Sequence, residues 1–180
     1  MFTTIRAKLI GFSFFSLLFI VLVSVVGNHG KSELGRVSSY SQGNIYAFNT
    51  NMRANMAHEE VRADVLQILR VSKIGDTAAY KDASTNLNEH LKILDSSSAR
   101  LLASTALLEK TRQAASAVRM DIEGYAKSAQ SILSMAQADS AGAEMQFAEF
   151  DEKYKKLKTN QSILNNLIAA DMEAARQAID

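Results

Sequence analysis

Apolar residues recur along most of the chain at alternating steps of three and four, the spacing of one face of an α-helix. One such register runs through Thr111, Ala115, Val118, Ile122, Tyr125, Ala129 and Ile132. Another runs through Phe147, Phe150, Tyr154, Leu157, Gln161, Leu164, Ile168 and Ala175. Tyr80, Leu87, Leu91, Leu94 and Leu101 mark a third face. No segment alternates with the period of two that a half-buried strand requires. The chain contains no proline, so no helix need be broken by one.

The breaks are instead written in glycine, serine and aspartate. "SKIGDTA" offers Gly75 as a helix C-cap and Asp76 as the next N-cap. "LLASTALLEK" offers Ser104 or Thr105 as an N-cap, and "QADSAGAEM" ends a helix near Gly142. Helices are therefore predicted over about 30–72, 77–101, 105–138 and 142–180. Turns this short leave each helix only the antiparallel position beside its predecessor, so the predicted fold is all-α, an antiparallel up-down-up-down four-helix bundle. Gly124, in mid-helix, costs about 1 kcal/mol against alanine and is read as allowing close packing beside Tyr125.

The first 28 residues depart from this pattern. "LIGFSFFSLLFIVLVSVV", Leu9 to Val26, holds no charge and is about long enough to cross a ~30 Å hydrocarbon core. Residues 9–28 are accordingly read as a transmembrane helix. Arg6 and Lys8 keep residues 1–8 in the cytoplasm and send residues 29–180 across the membrane. A cleaved signal peptide is the competing reading; the length of the apolar run and the lack of a small-x-small site favour the anchor.

One seam is anomalous. Asn51, Asn55, His58 and Arg62 follow one another at steps of 4, 3 and 4 on a face whose neighbours are Leu34, Val37 and Phe48 upstream, Val65 and Leu69 downstream. Each buried unpaired polar group costs about 1–3 kcal/mol, so four in succession ask for partners. Arg62 is the best anion ligand, with Arg70 on the rim, and hairpin arithmetic brings Thr159 and Asn160 of the fourth helix to the same level. The alternative is structural: Arg62 pairs with Glu59 or Asp64, and the asparagines fix helix register. The same arithmetic sets His58 beside His90, but no His-x-x-x-His pair or carboxylate cluster accompanies them, and no metal is expected.

Composition narrows the function classes. Without Arg6 and Lys8 the chain carries 18 Lys and Arg against 19 Asp and Glu, too balanced for a nucleic-acid binder. Cysteine is absent, which removes disulfides, thiolate metal sites and a cysteine nucleophile. No Gly-rich phosphate loop, Gly-x-Ser-x-Gly or His-Glu-x-x-His occurs, so neither an enzyme nor a cofactor is expected.

A short charged start, an apolar span running into an antiparallel bundle, and the run "MAHEEVRADVLQIL" together resemble the N-terminal sensor part of bacterial methyl-accepting chemotaxis receptors. The resemblance implies a homodimer in the bacterial inner membrane, with residues 29–180 in the periplasm, that binds a small organic acid or amino acid and signals by displacing its last helix. It implies ligands held by arginines of the first helix and polar residues of the last, and the polar stripe and its neighbours supply the candidates Asn55, His58, Arg62, Arg70, Thr159 and Asn160. The family's second span, linker and signalling hairpin are not in this sequence, so cytoplasmic signalling partners would be met only through a part the chain lacks, and a fragment is expected. The sensor of a histidine kinase or diguanylate cyclase, or a structural adaptor bundle, remains the alternative.

Overall fold

The computed structural model describes residues 42–177, and Ser24 besides. These residues are all-α. Helix α1 occupies 42–74 as described, followed by α2 (Thr77–Leu102), α3 (Glu109–Ala136) and α4 (Ser140–Gln177), and no strand occurs among the described residues. All four belong to one compact unit, Ser41–Asp180.

The helices share one apolar core. Val61, Val65 and Ile68 of α1 meet Leu87, Leu91 and Leu94 of α2, and Val118, Ile122 and Ile132 of α3 meet Phe150, Leu157, Leu164 and Ile168 of α4 in one cluster. Every member of the α3 register from Thr111 to Ile132 is buried, because a seven-residue repeat keeps one seam turned inward along the helix. Polar bonds set the levels between helices. Tyr80 Oη donates to the Leu133 carbonyl at 2.6 Å, and Arg119 Nη1 donates to Ser98 Oγ at 2.8 Å, joining α2 to α3. Asn160 Nδ2 donates to Asp121 Oδ2 at 2.6 Å, and Ser131 Oγ to Gln146 Oε1 at 2.8 Å, joining α3 to α4.

The turn at Gly75 follows from its backbone. Gly75 has φ +73°, the left-handed conformation that closes a helix, and Asp76 N donates back to the Val71 carbonyl at 3.1 Å. Asp76 then caps α2, its carboxylate accepting from Ala79 N at 3.0 Å. A Cβ at Gly75 would meet nothing within 4 Å, so substitution there tests backbone strain alone. Gly75→Ala is expected to cost about 1 kcal/mol, read as a lower urea midpoint with an unchanged slope.

Two expectations change. The third helix begins at Glu109 rather than near 105, because residues 103–108 form a loop gripped from within α3. Arg112 donates to the carbonyls of Leu102, Ser104 and Leu107 at 3.1, 3.1 and 3.3 Å, satisfying backbone groups that a continued helix would have paired. Leu107 is buried beneath that loop. At Gly124 an added Cβ meets nothing within 4 Å, so close packing beside Tyr125 does not account for this glycine.

The expected single-span localisation in the inner membrane is also corrected. No helix among the described residues is long and apolar enough to cross a membrane. Helix α1, for instance, carries Arg53, Glu59, Glu60, Arg62, Asp64, Arg70 and Lys73. The apolar stretch read as a span, residues 9–28, lies outside the described residues, Ser24 excepted.

Candidate functional site

The polar seam of α1 divides into an inner and an outer half. Asn51 and His58 are buried, whereas Asn55 and Arg62 are half-buried. The division arises because steps of four and of three turn in opposite senses about the helix, so Asn51 and His58 fall on the covered side of the stripe and Asn55 and Arg62 on its edge. Asn51 Nδ2 donates to Asn165 Oδ1 of α4, so one buried amide finds its complement. His58 is enclosed by aromatic rings. It stacks on Tyr154 at 4.6 Å between centroids and receives the edge of Tyr125 at 5.1 Å, and Tyr125 Oη donates to the His58 carbonyl at 3.1 Å.

Neither ring nitrogen of His58 has a hydrogen-bond partner of good geometry among the described residues, although the Tyr154 backbone lies near enough to favour protonation weakly. Burial dominates and lowers its pKa from 6.5 to about 4, against the opposing pull of Glu59. Burial likewise pushes the Tyr125 phenol far above its usual range. Both rings are therefore neutral near pH 7.

At the edge, Tyr154 links the buried histidine to a charged row. Its hydroxyl donates to Glu59 Oε2 at 2.7 Å, and Lys158 Nζ donates to both Glu59 Oε1 and Tyr154 Oη at 3.0 Å. Burial pulls the Glu59 carboxyl upward, but the bonds from Tyr154 and Lys158 outweigh it and hold the group below its ordinary value. Arg62 lies over the same tyrosine, with Cζ 4.7 Å from the ring centroid. Its Nε and Nη2 donate to Asp151 Oδ1 at 3.2 and 3.1 Å. Both bonds end on one oxygen, and the other, Oδ2, lies 3.0 Å from Lys155 Nζ. Lys155 first, and Arg62 after it, hold the Asp151 carboxyl below its ordinary range. Arg62 thus pairs across to α4 instead of with Glu59 or Asp64 on its own helix.

The other candidates lie apart from this cluster. Arg70 is exposed, two turns further along α1. Thr159 is exposed and its hydroxyl donates to the Lys155 carbonyl at 3.0 Å, while Asn160 is turned to Asp121 of α3. Asn55 is half-buried. His90 does not join His58: its Nδ1 is 2.6 Å from Asp64 Oδ2 and its Nε2 3.5 Å from Glu60, six residues and two residues further along α1 from His58. Burial raises the Asp64 carboxyl, and His90 partly offsets that rise. No group of three or more His, Cys, Asp or Glu among the described residues is arranged to hold a metal ion.

Sequence reasoning missed Glu59 as a bridge, Asp151 and Tyr154 as partners, and Lys158 as a cross-helix contact. Tyr154 was legible as a seam position, and Lys158 follows it by four residues, which places the two on one face. Gln161 was legible only as a seam position; it is fully buried, and its amide, with the side-chain polar atoms of Asn44 and Thr111, lacks a partner among the described residues. The buried interior is therefore incompletely satisfied among the described residues, and of its unpaired groups His58 stands where α1 meets α4, stacked on Tyr154. The chain matches no protein-family model, no curated protein and no solved structure.

Proposed function

We propose that this chain is the sensor of a chemoreceptor-like protein, an antiparallel up-down-up-down four-helix bundle that recognises a small organic acid or amino acid at Arg62. The observation that carries the reading is the Arg62 to Asp151 pair, a half-exposed guanidinium held on one carboxylate oxygen across α1 and α4. A ligand carboxylate offering two oxygens competes for that fork, and Asp151 retains Lys155 when it is displaced. The exchange breaks a bond between two helices without leaving either charge unpaired. Ligand binding then alters how α4 is held against α1, and a shift follows only as far as the ligand prefers the exchanged state.

Register supports the antiparallel order: partners on α1 rise from Asn51 through Arg62 to Lys73 as those on α4 fall from Asn165 through Asp151 to Glu144. The unpaired His58 ring against Tyr154 supports a movable interface, since a polar group without a partner contributes little to holding one fixed packing. Ile45, Met52 and Met56 are exposed on one face of α1 at steps of 7 and 4, the spacing of a helix seam, and this face is the proposed contact of a homodimer. No catalytic step belongs to this reading.

The test is thermal unfolding of the full chain with succinate, citrate, benzoate, glutamate and aspartate, each in excess. At a hundred times its dissociation constant a ligand adds about 2.7 kcal/mol, visible as a raised midpoint. At least one acid is expected to raise it, and sedimentation should give a dimer that Met56→Lys dissociates. A midpoint unmoved by every acid would count against a direct sensor, and a monomer against the dimer.

A further inference from the structure

A groove of about 560 Å³ runs between the end of α1 and the start of α4, lined by Leu66, Leu69, Arg70, Lys73 and Ile74 on one side, and Glu144 and Phe147 on the other. It stands apart from the Arg62 pair, because none of Asn55, His58, Arg62, Thr159 or Asn160 lines it. Eight residues separate Arg62 from Arg70, about 12 Å along the helix.

The lining has two characters. Leu69 is buried and Phe147 packs against the core, while Leu66 and Ile74 stand 41% and 68% exposed, large apolar side chains left facing water. The charges are unevenly committed. Lys73 Nζ is 2.9 Å from Glu144 Oε1, so the one acidic group of the lining is already neutralised. Arg70 is exposed and makes no ion pair or hydrogen bond with the described residues. An apolar trough with one uncommitted guanidinium on its wall complements a molecule that carries an apolar body and a single anionic head. A cation would meet Arg70 and Lys73, and a compact dicarboxylate would leave Leu66, Ile74 and Phe147 uncovered. The volume lies within the range usual for small-ligand sites.

We propose that this groove is a second binding site, for amphiphilic monocarboxylates of medium-chain or arylalkyl type, with the carboxylate on Arg70 and the apolar body along Leu66, Ile74 and Phe147. Recognition is by a planar fork at the head and by area removed from water along the tail, so affinity depends on both ends of the ligand. The site does not depend on the exchange at Arg62, and its occupancy is separately measurable.

The full chain is titrated calorimetrically with sodium octanoate, sodium butyrate and octyltrimethylammonium, all below their micellar concentrations, alongside Arg70→Gln, Ile74→Asn and Arg62→Ala. Arg70 and Ile74 are exposed, and circular dichroism verifies that the variants fold. Octanoate is expected to bind saturably at one site per chain and more tightly than butyrate, with the cation not binding. Arg70→Gln should weaken octanoate by about tenfold or more, the loss expected of a charged hydrogen-bonded contact. Ile74→Asn should weaken it severalfold, and Arg62→Ala should weaken it far less than Arg70→Gln does. Octanoate binding that is absent, matched by octyltrimethylammonium, or insensitive to Arg70→Gln and Ile74→Asn would overturn the site. Loss in Arg62→Ala but not in Arg70→Gln would transfer the carboxylate to the other arginine and equally overturn it.

Discussion

Lowering the pH from 7 to 4 is expected to remove about 3 kcal/mol of folding stability through His58 alone. The imidazole is fully buried between Tyr154 and Tyr125, and burial holds its folded pKa at about 4 against 6.5 in the unfolded chain. Between those values the unfolded state binds a proton that the folded state refuses. The contribution is whole above pH 6.5, falls as the pH drops below 6.5, and is fully lost once the pH passes below about 4. At 1.36 kcal/mol for each pKa unit, the depressed value converts to about 3 kcal/mol by pH 4. Glu59 and Asp151, whose carboxyls are held low, lose their contributions at still more acid pH, so their effect falls later in the titration. His58→Phe keeps an aromatic ring in the same enclosure without a proton to bind. Urea unfolding at pH 7, 6, 5 and 4.5 should show the parent declining and His58→Phe nearly level. An equal slope in both proteins would place the acid sensitivity elsewhere.

Phe150→Ala is expected to cost about 3–5 kcal/mol, among the largest single losses in the described core. Phe150 is fully buried, its ring stacked on Tyr125 at 4.8 Å and tilted against Phe147 at 5.8 Å. Removing it leaves a void beside the tyrosine that carries the hydrogen bond to the His58 carbonyl, so the aromatic column from Phe147 to His58 loses its middle member. Phe150→Leu restores most of the volume and should recover more than half the loss. Midpoints of urea unfolding at pH 7 measure both, and a loss under 1 kcal/mol for the alanine variant would mean that the α3 and α4 interface is not packed as described.

The helices were legible because their seams repeat. Thr111 to Ile132 kept one register, and all of its named positions are buried, since two packed helices impose the same repeat on each other. The caps Gly75 and Asp76 were legible because each answers a local backbone need. The start of α3 was not, because it depends on Arg112 reaching back over ten residues to the Leu102 carbonyl, a contact with no local pattern.

The candidate site was legible in part and for a definable reason. Periodicity singled out His58 and Arg62, but it does not fix how far α4 is rotated about its axis. Asp151 and Lys158 belong to "DEKYKKLK", which reads as a solvated face with charges three and four apart. In the structure two of those charges turn to α1, Asp151 to Arg62 and Lys158 to Glu59. The same missing rotation sends Asn160 to Asp121 and leaves Thr159 exposed, so residues adjacent in sequence serve different interfaces. Turn arithmetic set His90 level with His58, whereas it lies level with Asp64, because a small error in the turn centre is carried along the whole hairpin.

The ion-pair exchange is the central claim, and titration calorimetry of the acid that most raises the unfolding midpoint tests it most directly. The parent, Asp151→Asn and Arg62→Ala are titrated under one set of conditions. With Asp151 neutral, the guanidinium has no competing anion, so Asp151→Asn should bind about tenfold tighter than the parent, and Arg62→Ala should bind at least tenfold more weakly. Equal affinities in all three proteins, or weaker binding in Asp151→Asn, would contradict the exchange and leave the Arg62 to Asp151 pair a structural tie between α1 and α4.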